Sequence, residues 1–150
     1  MRSVLFVCTA NICRSPMARG VLSGLTTGKD LLIDAAGTHD YYVGKPPFPQ
    51  AVEAAQRRGY DLTQYVARQV NGHDFDRFDL ILAMAGEHLE HLRAMAPSRC
   101  RQKIELFLEY GDAFHGQDVP DPFGRADLEF ERALDRIEDG CRGLARVLMR

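Results

Sequence analysis

Four short apolar runs recur along the chain, each bounded by polar or turn-forming residues. They lie at residues 4–8, 31–36, 80–84 and 104–108. Short continuous apolar runs are typical of strands that are buried on both faces of a sheet. We therefore predict four β-strands at these positions.

Between the predicted strands lie stretches with helical patterning, at residues 17–25, 50–57 and 87–95. Strands that alternate with helices favour a parallel sheet, because each strand must return to the same end of the sheet through a crossover. The prediction is an α/β fold with a doubly wound, four-stranded parallel sheet, helices on both faces and a flavodoxin-like strand order.

The end of the chain carries an apolar stripe at spacings of four and three residues, which predicts a long amphipathic helix. The stripe consists of Phe130, Leu134, Ile137, Cys141, Leu144 and Leu148. A coiled-coil seam between two copies is one interpretation, and a helix that covers the sheet is the better one. In the second case Cys141 is a buried core thiol.

Two segments, residues 37–49 and 111–124, are rich in glycine and proline, and we predict that they are loops. Ligands of open α/β sheets bind beyond the carboxyl ends of the strands, where such loops gather.

The composition and charge of the chain argue against several classes of function. With 150 residues, 45% of them hydrophobic, the chain has the size of one domain with its own core. The formal net charge of −2 provides no general basic field for nucleic acid or a membrane surface. The first apolar run is too short for a signal peptide or a membrane span, so we expect a cytoplasmic protein. Its cysteines are too few and scattered for a disulfide scaffold, namely Cys8, Cys13, Cys100 and Cys141.

The strongest chemical signal is the segment CTANICRSP, which runs from Cys8 to Pro16 between the first predicted strand and the first predicted helix. A turn from strand to helix directs backbone N–H groups into one concavity, and the positive end of the helix dipole lies there too. Such a turn is suited to a phosphate dianion. Pro16 fits the first helical position, where a missing N–H costs nothing.

The same surroundings favour a nucleophilic thiolate at Cys8, because a helix N-terminus and the guanidinium of Arg14 both stabilise negative charge. Arg14 can offer its planar fork to two phosphate oxygens. Ser15 can donate a hydrogen bond to the sulfur, and Asn11 tolerates an awkward backbone conformation.

The motif VCTANICRSP, near the start of the chain, resembles that of the low-molecular-weight protein tyrosine phosphatases. AGT at residues 36–38, ARQ at 67–69, FDLIL from residue 78 and DP at 121–122 follow in the family's order, so the resemblance covers nearly the whole chain. It implies one phosphatase domain over residues 1–150 that needs neither metal nor cofactor.

The resemblance implies a role for each residue of the motif and for one aspartate. Cys8 is the nucleophile that forms a thiophosphoryl intermediate, and Asp121 is the general acid and then the base. Asp118 is a nearby alternative that the residues alone do not exclude. The phosphate would be held by the loop residues Thr9, Ala10, Asn11, Ile12, Cys13, Arg14 and Ser15.

Specificity for an aromatic phosphate is expected from Tyr41, Tyr42 and Phe123, since a flat ring prefers aromatic walls. Phe123 stands where the family usually has Tyr. The VPDPFG form is similar to bacterial members, some of which act on tyrosine autokinases. A tyrosine-phosphorylated protein, with such a kinase as one candidate, is therefore the implied partner, and phosphate-like oxyanions are the implied inhibitors.

Two departures from the family concern the support of the loop. Ala85 follows the Met of the third strand where Asp is frequent, and Tyr65 stands where His commonly precedes ARQ. Cys13 has two candidate roles, which are small-residue packing and the trapping of an oxidised Cys8 as a reversible disulfide.

Three other functions fit the residues less well. His88 and His91 lie three residues apart on a charged helix, which indicates a solvated surface rather than a metal site. An arsenate reductase on the same scaffold would need further cysteines near the third strand, and residues 80–95 contain none. A phosphotyrosine-binding module without activity would usually lack the nucleophile or the acid.

Overall fold

The computed structural model describes residues 2–150, and its centre is a four-stranded parallel sheet. The strands are β1 (Ser3–Cys8), β2 (Leu32–Gly37), β3 (Leu80–Ala83) and β4 (Ile104–Leu106), in the order β2-β1-β3-β4. β1 pairs with β2 from Ser3↔Leu32 to Cys8↔Gly37, and with β3 from Val4↔Leu80. The predicted doubly wound, flavodoxin-like order is confirmed.

Five α-helices connect and cover the strands in the described part of the chain. They are α1 (Arg14–Leu25), α2 (Pro49–Arg57), α3 (Asp74–Arg77), α4 (Gly86–Met95) and α5 (Asp127–Leu148). The short helix α3 was not predicted, because four residues are too few to show a helical period.

The two faces of the sheet bury separate apolar clusters, as alternate side chains of β1 show. Val4 and Phe6 point to the cluster formed with α1, α2 and α5. Leu5 and Val7 point to the cluster that includes residues of α3 and α4. Helices therefore lie on both faces, as the pattern of short apolar runs predicts.

Helix α5 carries its apolar stripe into the first of these clusters. Phe130, Leu134, Ile137 and Cys141 are all fully buried there. The covering-helix interpretation is thus confirmed, and Cys141 is a core thiol whose pKa is raised above its ordinary value by burial.

Several predicted element ends are wrong by one to three residues. Leu31 lies just before β2, and its N–H donates to the carbonyl oxygen of Lys29. β4 ends at Leu106, because the chain leaves the sheet edge in a 3₁₀ turn, Phe107–Tyr110. α1 begins at Arg14, so Pro16 is its third residue rather than its first. The missing N–H still costs nothing there, because the first-turn N–H groups have no intrahelical partner.

The described residues contain no helix that is both long enough and apolar enough to cross a membrane.

Candidate active site

The segment from Cys8 to Arg14 forms a tight loop between the end of β1 and the start of α1. Neighbouring segments anchor its carbonyl groups: Thr38 N donates to Cys8 O, His39 N to Thr9 O and Phe48 N to Ile12 O. Among the described residues, none of the N–H groups from residue 9 to residue 13 donates to a backbone carbonyl. These N–H groups remain available to an anion.

Close packing behind the loop requires Gly37, the last residue of β2. A Cβ atom at this position would lie 2.6 Å from the carbonyl oxygen of Thr9, which is too close for any side chain. The glycine therefore lets two backbone segments approach, so that Thr38 and His39 can bond to the loop.

Ser15, which is itself bonded to Asn11, contacts the sulfur of Cys8. Asn11 has a φ of 60°, in the left-handed region that asparagine tolerates. Its Nδ2 donates to Ser15 Oγ (2.7 Å), and Ser15 Oγ lies 3.0 Å from Cys8 Sγ. Because the amide already donates to the serine oxygen, the single proton of the serine hydroxyl can go to the sulfur or to the carbonyl oxygen of Ala36, which lies 3.5 Å away.

The guanidinium of Arg14 is buried and is held from two sides. Nη1 donates to the carbonyl oxygen of Val119 (3.1 Å), and Nη2 donates to Thr9 Oγ1 (3.4 Å). Nη2 also lies 3.9 Å from the carboxylate of Asp121. The cation is therefore fixed between the loop and the segment that carries the predicted acid.

The structure separates the two aspartates that the sequence left open. Asp121 lines the cleft over Cys8, and its side chain is 56% exposed. Its Oδ1 accepts a hydrogen bond from Phe123 N (3.1 Å), which fixes the carboxylate within its own turn. Asp118 instead accepts a hydrogen bond from Gly86 N (3.0 Å) at the start of α4 and does not line the cleft.

Aromatic side chains form the walls of this cleft, whose volume is about 540 Å³. Tyr41, Tyr42 and Phe123 all line it, together with Ile12. Phe123 packs against Tyr42 and Phe48, with ring centroids 6.0 and 5.1 Å away. The cleft therefore offers aromatic and aliphatic surface next to the loop.

Tyr41 is 65% exposed and is steadied by a stacked neighbour. The ring of His39 lies parallel to it, with centroids 4.9 Å apart. His39 in turn contacts His91 of α4, at 5.5 Å between centroids.

The four cysteines are buried and unpaired. Cys13 lies in the cleft at the start of α1, and burial together with the neighbouring Cys8 raises its pKa well above the ordinary value. Cys100 lies beside Asp76, away from the cleft.

The prediction for His88 was wrong: it is not on the solvated surface but 1% exposed. Its Nε2 lies 2.8 Å from Thr9 Oγ1. The sequence did contain a signal, because His88 lies four residues before the buried Leu92 and so shares its helix face. No group of three or more His, Cys, Asp or Glu side chains within residues 2–150 is arranged to hold a metal ion.

Support for the loop also comes from Arg68, which the sequence analysis missed. Its backbone N–H donates to Asn11 Oδ1 (3.0 Å), and its guanidinium bridges Asp34 and Asp74. Tyr65 does not support the loop in this way. Its ring packs beneath the guanidinium of Arg19, whose Cζ lies 4.1 Å from the ring centroid. No sequence signal marks a backbone donor of this kind.

Comparison with known proteins gives one consistent family. The sequence model of the family described as low molecular weight phosphotyrosine protein phosphatase matches residues 3–150. The low molecular weight protein-tyrosine-phosphatase YfkJ of Bacillus subtilis is 38% identical over 148 residues, covering 96% of this chain and 94% of its own. Its crystal structure has a TM-score of 0.91 at 37% identity and covers 99% and 95% of the two chains.

Two further solved structures are similar. A protein tyrosine phosphatase from Entamoeba histolytica has a TM-score of 0.95 at 31% identity, covering 99% of this chain and 97% of its own. The YwlE arginine phosphatase of Bacillus subtilis, in a mutant with a phosphorylated active-site serine, has a TM-score of 0.88 at 31% identity, covering 99% of this chain and 96% of its own.

Sequence and fold thus agree over almost the full length of the molecule, and this chain belongs to the low molecular weight phosphotyrosine protein phosphatase family.

Proposed function

We propose that residues 1–150 act as one protein tyrosine phosphatase domain, which hydrolyses phosphotyrosine through a covalent intermediate on Cys8. The observation that carries the proposal is a single cleft that contains Cys8, Arg14 and Asp121 and has aromatic walls. A nucleophile, a phosphate-binding cation and a proton donor are the groups that this reaction requires.

In the first step the Cys8 thiolate attacks phosphorus, so that an S–P bond forms while the bond from phosphorus to the tyrosine oxygen breaks. Asp121, in its acid form, gives its proton to the departing phenolate. The Ser15 hydroxyl at 3.0 Å and the N-terminus of α1 support a thiolate at Cys8.

In the second step water attacks phosphorus and gives a proton to the Asp121 carboxylate, while the S–P bond breaks and phosphate leaves. Arg14 and the loop N–H groups of residues 9–13 hold the equatorial oxygens throughout. Because these donors are already fixed in the free protein, little reorganisation is needed in the transition state.

The aromatic walls support phosphotyrosine as the substrate. Tyr41, Tyr42, Phe123 and Ile12 offer apolar surface to the substrate's side chain, which suits a phenyl ring. Phosphoarginine is still the informative comparison, because the similar YwlE is named an arginine phosphatase.

We propose a tyrosine-phosphorylated protein as partner, with a bacterial tyrosine kinase as one candidate, and inhibition by phosphate-like oxyanions at the loop. A cytoplasmic location is proposed because Cys8 must stay reduced, and all four cysteines are free thiols.

Cys13 keeps a proposed redox role beside its packing role. If Cys8 is oxidised to a sulfenic acid, the thiol of Cys13 can condense with it, forming a disulfide and releasing water. The raised pKa of Cys13 keeps it protonated in the resting protein, so this step would be slow without a base.

The test is phosphate release in EDTA from peptides that carry phosphotyrosine, phosphoserine or phosphoarginine. We expect release from phosphotyrosine alone, no release by Cys8→Ser, and a loss of about 10²-fold to 10⁴-fold in Asp121→Asn. Asp118→Asn is the matched control, because it removes a carboxylate from the same loop but outside the cleft.

Full activity in Cys8→Ser would exclude a mechanism that depends on the Cys8 thiolate. Tight phosphopeptide binding without release would indicate a binding module, and turnover of arsenate with a thiol reductant would indicate a reductase.

A further inference from the structure

His88 lies behind the anion-binding loop and joins it to α4. It is in the first turn of α4 and is buried. Its Nε2 lies 2.8 Å from Thr9 Oγ1, and the same oxygen accepts a hydrogen bond from Arg14 Nη2 (3.4 Å). Three residues from three different segments therefore form a continuous chain of polar contacts that ends at the guanidinium.

The imidazole of His88 is electrically neutral in this position. Burial lowers its pKa to about 3, and the charges of Arg14, His39 and His91 act in the same direction. The N-terminus of α4 also disfavours a cation in its first turn. Within residues 2–150, Glu87 is the one carboxylate that lies within 4.0 Å of a ring nitrogen, at 3.8 Å from Nε2, but it is largely exposed and screened by solvent.

The contacts also fix which nitrogen of His88 carries the proton. Nδ1 is buried and has no hydrogen-bond partner within residues 2–150. A proton there would leave a buried N–H unpaired, which is less tolerable than an unpaired lone pair. The proton is therefore on Nε2, which donates to Thr9 Oγ1.

This assignment determines what Thr9 can do. Arg14 can only donate, so the threonine oxygen accepts two hydrogen bonds, one from the guanidinium and one from the imidazole. Its own hydroxyl proton is then free, and Thr9 lines the cleft in which an oxyanion would lie.

We propose that His88 is a positioning residue for anion binding: it orients the Thr9 hydroxyl, which steadies Arg14 and donates its own proton to a bound phosphate oxygen. Ala85, which directly precedes α4, has no polar side-chain group that could do this. The inference rests on the proposed function in one respect, namely that Arg14 binds phosphate.

The experiment measures the dissociation constant of inorganic phosphate by calorimetry, without turnover. We expect His88→Leu and Thr9→Val each to weaken phosphate binding about tenfold. Because His88 acts only through Thr9, the double variant should bind phosphate no more weakly than Thr9→Val alone. His88→Gln, whose amide can donate from about the same place, should recover most of the affinity.

His91→Leu is the matched control, because it removes an imidazole from the same helix that has no bond to Thr9. We expect it to bind phosphate as the unaltered protein does. In ¹⁵N spectra the His88 ring should be neutral, with the proton on Nε2, from pH 5 to pH 8.

Independent, additive losses in the two single variants would overturn the inference, as would unchanged phosphate affinity in His88→Leu. A proton on Nδ1, or titration of His88 between pH 5 and pH 8, would overturn it as well. Failure of the proposed function is distinguishable, because it would show as phosphate binding with the expected coupling but no release from phosphotyrosine. Turnover of phosphotyrosine without measurable phosphate binding would contradict this inference but not the proposed function.

Discussion

Acid should destabilise this protein through His88 in particular. The unfolded chain binds a proton at this residue below about pH 6.5, whereas the folded protein does so only near pH 3. Between these values the unfolded state binds more protons, so the free energy of unfolding falls as the pH falls. The stabilising contribution is fully present above pH 6.5 and is lost progressively in this window.

The size of the effect depends on how far the pH lies below the pKa of His88 in the unfolded chain. Each unit of pH in the window changes the free energy of unfolding by about 1.4 kcal/mol. At pH 5, about 1.5 units below the unfolded value, the loss from His88 alone is about 2 kcal/mol. This is a large share of a domain stability of about 5–15 kcal/mol.

The assay is urea unfolding at pH 7 and pH 5, followed by far-ultraviolet circular dichroism because the chain has no tryptophan. The unaltered protein should lose about 2 kcal/mol more between the two pH values than His88→Gln does. Other titrating groups are common to both proteins and cancel in this difference. His91→Gln, which alters a less buried imidazole of the same helix, should behave like the unaltered protein. Equal losses in the unaltered protein and His88→Gln would refute the reasoning.

Three further predictions concern the loop and its surroundings. Ser15→Ala removes the hydroxyl beside the sulfur of Cys8, the proposed nucleophile, and should lower kcat/KM for a phosphotyrosine peptide about tenfold or more, since bonds to charged groups are strong. An unchanged value would argue against thiolate stabilisation by this group. Gly37→Ala places a methyl group against the carbonyl oxygen of Thr9 and should lower the free energy of unfolding by about 1–3 kcal/mol in urea titrations. Phe48→Ala removes the ring that packs against Phe123, so the segment that carries Asp121 should become more mobile. We expect kcat to fall even under conditions in which the variant is fully folded. A lower free energy of unfolding with unchanged kcat would contradict this.

The parallel sheet and most element positions could be predicted from the sequence. Apolar runs such as residues 4–8 encode buried strands directly, because a strand covered on both faces has no polar side. Element ends were less predictable: β4 stops at Leu106 although Phe107 and Leu108 continue the apolar run. A buried 3₁₀ turn and a buried strand have the same hydrophobicity, so the pattern does not distinguish them.

The loop around Cys8 was predictable for a physical reason. Cys8, Asn11, Arg14 and Ser15 are close in sequence, and the turn from β1 to α1 that brings them together is local. Their contacts with one another therefore follow from the motif, as the 3.0 Å approach of Ser15 to Cys8 illustrates.

By itself, then, the sequence determined the fold class, the family and the local geometry of the loop between β1 and α1, since each depends on periodicity or on neighbours along the chain. Only the tertiary structure decided which aspartate faces the cleft, and it placed His88, 79 positions from Thr9, in contact with the loop. Val119 meets Arg14 across 105 positions in the same way. Such contacts depend on how the connecting helices pack on the sheet. The packing energy that fixes them comes from the whole core, so the identity of either residue does not predict the contact.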